Sequence, residues 1–336
     1  EFDLKRLAVS FVLLARQQGY DTGSTRSVAE TMLSAYRLHL QDYALQSPLD
    51  NWYALIDSEL LIRTAGDEAT RKRRIQFEKK ARKRTAESLI GKLLEEQNGH
   101  LRFLHQPPVL ARLPRNGKLE KSFRLALERY PATLSEERRH LLSRYRLDDV
   151  ALKVVGVGSV GTRCAVALYV SDGGDRLVLQ VKEASTSVLA PYAGAGPHAH
   201  QGQRVVIGQR LAQCASDIFL GWANDDDGHQ YYVRQLRDMK TSVAYEQMTG
   251  QVLFNFADMC GWALARSHAK SGDGARLSGY LGRSEQLDRA ISDFAQTYAD
   301  QCEQDFEQFK RAIRLGKIPV EMEAPTVAVS EKKPSN

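Results

Sequence analysis

The stretch VALKVVGVGSVGTRCAVALYVSDGGDRLVLQVKEA, residues 150–184, decides how the chain is read. Gly156, Gly158 and Gly161 match the pattern GxGxxG. A dinucleotide-binding turn of this kind needs a strand before the glycines and a helix after them, because the helix N-terminus holds the pyrophosphate. The residues after these glycines are instead β-rich on both sides of a turn: CAVALYV over 164–170, SDGG over 171–174, and LVLQVK over 177–182. A helix opening at Thr162 would have to carry Cys164, Val166, Tyr169 and Val170, and Gly173-Gly174 would stop it. The stretch therefore predicts a strand, a glycine turn and an antiparallel hairpin.

That order has its own chemistry. A glycine turn between two strands can lie over the phosphates of a nucleotide, with a lysine of the next strand contacting them. Lys182 stands on that strand, 26 residues after Gly156. Alternation puts it on one face with Gln180 and Val178, and puts Val181 and Leu179 on the other. The candidate nucleotide-binding residues are thus Gly156, Gly158, Ser159, Gly161 and Lys182. The plain alternative is an ordinary hairpin turn and a lysine whose head reaches solvent. A helix over Gln203–Ala215 and a strand over Tyr231–Leu236 complete a small-lobe order. That helix offers no carboxylate to Lys182, Glu183 points to the opposite face, and Asp217 lies at the helix end. Arg234, Gln235, Asp238 and Lys240 sit at the end of the later strand, either as a hinge beside a ligand or as a solvated strand end.

Working outward, residues 1–147 read as helices: one ended by Gly19, then Ser27–Leu45, Trp52–Thr64, a long one over Glu68–Glu96 broken at Asn98-Gly99, and short ones over Leu119–Arg129 and Ser135–Tyr145. Thr133 with Glu136 fits a capping box, and Ser135 is the alternative cap. His105–Gly117, with Pro107, Pro108 and Pro114, reads as a loop, and the first strand of the small lobe as Val150–Val155. A loop surrounds Pro191–Pro197. Helices return over Thr249–His268 and Glu285–Leu315. The expected class is α+β, mainly helical with a small antiparallel sheet. The expected division is 1–147 and 241–318 as helical parts of a large lobe, 148–240 as the small lobe, and 319–336 as a disordered tail.

The 336 residues carry 47 basic and 41 acidic side chains, a net charge of +6. With 43% hydrophobic and 26% charged residues the composition is globular, which excludes disordered and collagen-like chains. The longest mainly apolar stretch, Leu7–Ala15, is far short of the ~20 residues a membrane helix needs. The charge is local. Residues 71–84 (RKRRIQFEKKARKR) hold nine bases and one acid, a net of +8, so the other 322 residues sum to −2. Arg71, Lys72, Arg74, Lys79, Lys80, Arg82, Lys83 and Arg84 are candidate contacts for an anionic partner. Interleaved aromatics are missing apart from Phe77, so a solvated helix, or one lining a cleft for an anionic substrate, is preferred to nucleic acid. The four cysteines (164, 214, 260, 302) are scattered, which points to reduced thiols and a cytoplasmic protein. His198 and His200 alternate in a loop without a third ligand nearby, so no metal site is expected. His268 with Asp273 reads as a helix C-terminal charge rather than as a catalytic pair. The chain opens on Glu1 directly into a helical pattern, and is expected to be a fragment whose start lies upstream.

Several blocks resemble the bacterial family catalogued as domain of unknown function 2252. They are EFDLKRLAVSFVLLAR (1–16), KVVGVGSVGTRC (153–164), LQVKEA (179–184), GQRVVIGQRLAQCASDIFLGW (202–222), YYVRQLRDMK (231–240) and CGWALARSHAKSGD (260–273). The resemblance runs to about Ile318 and brings no assigned reaction with it. It implies an upstream GDxHxxNFG stretch and an acidic DFDE-type stretch, which look like the catalytic loop and metal-binding aspartate of aminoglycoside-phosphotransferase-like kinases. Asp3-Leu4 is similar to the Asp-Leu pair that comes next in those kinases. The implied picture is a circularly permuted kinase-like fold, with ATP and magnesium as cofactors of the full-length protein. The catalytic loop is absent from these residues, so the fragment is expected to bind nucleotide weakly or not at all, and not to turn over.

Overall fold

The computed structural model describes residues 1–82, 90–154, 156, 161–236 and 248–320. The architecture is α+β, mainly helical with antiparallel sheets. The chain forms two compact units.

The first unit takes Glu1–Arg37, Tyr245–Trp262 and Leu281–Asn336. Its opening helix, Phe2–Gln17, buries Leu4, Ala8, Val9, Phe11, Val12 and Ala15, the stripe expected of a 3.6-residue period. Gly19, at φ +80°, ends it. The next helix spans Thr22–Ala44 and starts five residues before the expected Ser27. Asp21 is the reason: its carboxylate accepts the Ser24 amide at 2.8 Å. The long helix Gln286–Arg314 packs on the opening one. Arg37 Nε meets the Asp288 carboxylate at 2.9 Å, with both side chains buried.

The second unit takes Leu38–Ala244 and Ala263–Tyr280 and contains both sheets. The predicted helix Trp52–Thr64 is instead two short ones, Pro48–Tyr53 and Ser58–Arg63. Each has its own cap: Ser47 Oγ accepts the Asp50 amide at 3.1 Å and the Asp57 carboxylate accepts the Leu60 amide at 2.7 Å. The predicted helix Glu68–Glu96 is helical over Glu68–Arg82, but its last residues are a strand. Strand β1 (Leu94–Gln97) pairs antiparallel with β2 (His100–Phe103) around Asn98 and Gly99. Both turn residues lie in the left-handed region, at φ 53° and 74°. Asn-Gly is the preferred pair for such a turn, and here it makes a hairpin rather than breaking a helix.

The larger sheet has the order β3-β4-β5-β6-β8-β7 and is antiparallel throughout. Its strands are β3 (Leu110–Arg112), β4 (Tyr145–Lys153), β5 (Cys164–Ser171), β6 (Arg176–Glu183), β7 (Gly221–Asn224) and β8 (Gln230–Gln235). β3 falls inside the predicted loop His105–Gly117. β4 starts at Tyr145, the expected end of the helix Ser135–Tyr145, and that helix is only Glu136–Leu142. Asp149, inside this strand, has partners: it accepts the Phe103 amide at 2.9 Å and faces Arg102 at 3.2 Å. The capping box does not form. Thr133 Oγ1 bonds the Tyr130 and Trp222 carbonyls, and Ser135 is the cap residue. Ala190–Ala193 forms a single helical turn in the expected loop. Gly274–Leu281 is a helix that the sequence pattern does not announce, and Asp273 accepts the Arg276 amide at its start.

Each face of the sheet is a core of its own. On one, Ala165, Ala167, Leu177, Leu179, Val181, Tyr231 and Val233 meet Phe123, Ala126, Leu127 and Tyr130. On the other, Ala151, Val166, Leu168 and Val178 meet Ile90, Leu94, Phe103, Leu110 and Leu236. Burial on both faces explains why β5 and β6 read as continuous apolar runs.

Candidate functional site

No helix comes after the glycines. β5 opens at Cys164 and pairs antiparallel with β4, so residues 154–163 connect neighbouring strands. The strand–turn–helix arrangement of a dinucleotide site is therefore not formed. Gly156 and Gly161 are described, with φ 155° and 79° and open space where a side chain would go. Gly158 and Ser159 lie outside the described residues, as do Asp238 and Lys240.

Register places the cationic residues. Lys182 pairs with Cys164 on one side and Tyr232 on the other, and Gln180 pairs with Val166 and Arg234. Alternation then puts Lys182, Gln180 and Arg234 on one face, that of the Val166 and Val178 core. Burial pushes the Cys164 thiol up, while the charges of Lys182, Lys153 and Arg234 act on it in the opposite sense. Lys182 Nζ lies 5.9 Å from the Tyr232 ring centroid. Among the described residues, neither Lys182 nor Arg234 has a carboxylate partner, and the buried Arg234 Nε has no hydrogen-bond acceptor.

The nearby acids are committed elsewhere. The Glu183 carboxylate accepts the Arg163 amide at 2.9 Å. Asp217 accepts the Phe219 amide at 2.8 Å and the Gln235 amide at 2.5 Å, which uses the backbone of Gln235. The helix expected over Gln203–Ala215, observed as Gln201–Ala212, carries no acid. Its C-terminal end is held by cations: Arg266 Nη1 donates to the Ala212 carbonyl at 2.9 Å and Lys270 Nζ to the Gln213 carbonyl at 2.8 Å.

On the opposite face of the sheet lies a cluster that the sequence presents only as a turn. Asp225, 2% exposed, accepts Ser122 Oγ at 2.5 Å, Tyr231 OH at 3.1 Å and the His229 amide at 2.8 Å. His229 Nδ1 lies 2.9 Å from its carboxylate. Burial works against the ionised form, but the donors from Ser122, His229 and Tyr231 win and bring the carboxyl down to about 2. Arg163 Nη1 is 2.9 Å from His229 Nδ1 and 3.7 Å from Asp225 Oδ2. Asp225 at the mouth of a tight turn with His229 four residues on was the only local signal; Ser122 and Arg163 come from distant sequence.

Some of the remaining candidates have local partners. Arg71 pairs with Glu68 and Arg82 with Glu78, and Arg74 donates to the Leu61 carbonyl. Lys72, Lys79 and Lys80 are exposed on the same helix, and Lys83 and Arg84 lie outside the described residues. His200 caps Gln201–Ala212 by accepting the Gln203 amide on Nδ1 at 3.2 Å, and burial lowers its pKa. No group of three His, Cys, Asp or Glu able to hold a metal occurs among the described residues. None of the described helices is long and apolar enough to cross a membrane.

Fold and site together define an α+β protein with an antiparallel sheet, one face of which carries Lys182 and Arg234 with no carboxylate partner among the described residues, while buried Asp225 lies on the other. The chain belongs to the family described as uncharacterized protein conserved in bacteria (DUF2252), whose model matches residues 1–312. No curated protein and no solved structure matches it.

Proposed function

We propose that the sheet face bearing Lys182 and Arg234 binds the phosphates of a nucleotide beneath the glycine turn, and that the protein is a kinase-like phosphotransferase. One observation carries this reading: two partly buried cations share a face with no carboxylate partner among the described residues. A charge held that way is costly unless an anion completes it. Phosphate oxygens suit both heads, a point charge from lysine and a planar fork from arginine. The reading rests on cation–phosphate contacts alone and assigns no transfer step.

Calorimetric titration with ADP and ATP, with and without magnesium, tests it. Binding is expected, with the apparent melting temperature rising as nucleotide is added. Lys182→Ala and Arg234→Ala should each raise Kd roughly tenfold, the worth of a charged hydrogen bond. Absence of binding at millimolar nucleotide would sink the proposal.

A further inference from the structure

Arg163 stands two residues after Gly161, where the chain leaves the glycine turn and enters β5. Its backbone is fixed against β6: the amide donates to Glu183 Oε2 at 2.9 Å, and the carbonyl accepts the Glu183 amide at 2.9 Å. Its side chain leaves on the face opposite Lys182 and reaches His229 at 2.9 Å and Asp225 at 3.7 Å. Asp225 is itself immobilised by the helix Lys118–Arg129 through Ser122, by β8 through Tyr231 and by the hairpin backbone at His229.

We infer that Asp225 and His229, acting through Arg163, form a positioning anchor that fixes the returning arm of the glycine turn, Gly161–Arg163, beside Lys182. The argument is geometric. The turn leaves β4 at Lys153 and returns at Cys164, and Lys182 sits beside Cys164 in the register. Any sideways shift at Arg163 moves the returning arm of the turn relative to the lysine. A single exposed guanidinium would hold that arm weakly, because ion pairs in water are worth little. This one lies against the His229 ring at 2.9 Å and 3.7 Å from a carboxylate of 1% side-chain exposure that three other donors hold in place, so the arm is referred to the interior of the unit. Arg163 and Asp225 touch no ligand in this scheme. They act through the turn, as supporting residues do when a site must be held to a fraction of an ångström.

The inference rests on the proposed nucleotide site, and the experiment separates the two. Arg163→Ala, Arg163→Lys and Asp225→Asn are compared with wild type by amide hydrogen exchange at Gly161–Cys164, by melting temperature and by MgADP titration. Expected in Arg163→Ala is exchange at these amides faster by about tenfold, little change in melting temperature, and a Kd raised about tenfold. Arg163→Lys should restore part of both, since an ammonium can still reach Asp225. Asp225→Asn should loosen the same amides, and if it fails to fold, the two Arg163 variants decide. Unchanged exchange at Gly161–Cys164 in Arg163→Ala overturns the anchor, whether or not nucleotide binds. Faster exchange with unchanged Kd overturns its link to the site. Wild type that binds no MgADP removes the nucleotide proposal and leaves the exchange result to decide the anchor alone.

Discussion

A Cβ added at Gly202 would overlap the Tyr231 carbonyl, whereas one added at Gly208, further along the same helix, would meet nothing within 4 Å. One helix therefore holds two glycines with opposite expectations. Gly202→Ala forces the helix off β8 and should destabilise by about 1–3 kcal/mol, as overpacking does. Gly208→Ala relieves a poor helix former and should stabilise by about 0.5–1 kcal/mol. Urea denaturation of both variants checks this, and equal signs would contradict the packing. The sequence carried no hint of the difference, because close approach at Gly202 depends on a strand distant in the chain. The same limit governed the site. Lys182, Glu183 and their opposite faces came from alternation alone, but that Glu183 would bind a backbone amide, and that Ser122 would reach Asp225, required the fold.

Elements were legible where one local signal dominated. The opening helix, the strands flanking the DGG turn and the long helix Gln286–Arg314 all sit within a few residues of their predicted ends, because periodicity is strong there. They were missed where polar residues carried a tertiary partner, as at Asp149, or where a signal had two meanings. Asn98-Gly99 is the clearest case. It ends a helix as well as it turns a hairpin, and the polar run Glu95–Gln97 before it looks helical until Phe103 pairs opposite Leu94. The hairpin makes a sharp demand on Gly99, whose φ of 74° a β-branched residue resists. Gly99→Val should cost about 1–2 kcal/mol and raise exchange at the β1 and β2 amides while leaving those of β5 and β6 protected. Loss of protection across both sheets would mean that the hairpin is not a separate element.

At the scale of the molecule, each unit is assembled from separated pieces of chain, which a single sequence cannot reveal because nothing in it records long-range pairing. Net charge was more readable: the +6 is one +8 segment on a slightly acidic remainder. What a formal count hides is that buried carboxylates respond to acid with opposite signs. Burial raises Asp288 despite Arg37, so its folded form holds a proton more tightly than the unfolded chain does. That favours folding as the pH falls through its titration. Asp225 is the reverse. Its folded value of about 2 against an unfolded 3.8 means that its contribution is complete above about pH 4 and is lost as the pH falls through 2. The depression corresponds to about 2 kcal/mol. Denaturation of wild type and Asp225→Asn at about pH 7, 4 and 2.5 should show their difference in stability widest at the first, nearly as wide at the second, and narrowed by more than half at the third. A gap that stays constant with pH would mean that Asp225 is not held as a carboxylate, and would remove the charge on which the Arg163 anchor depends.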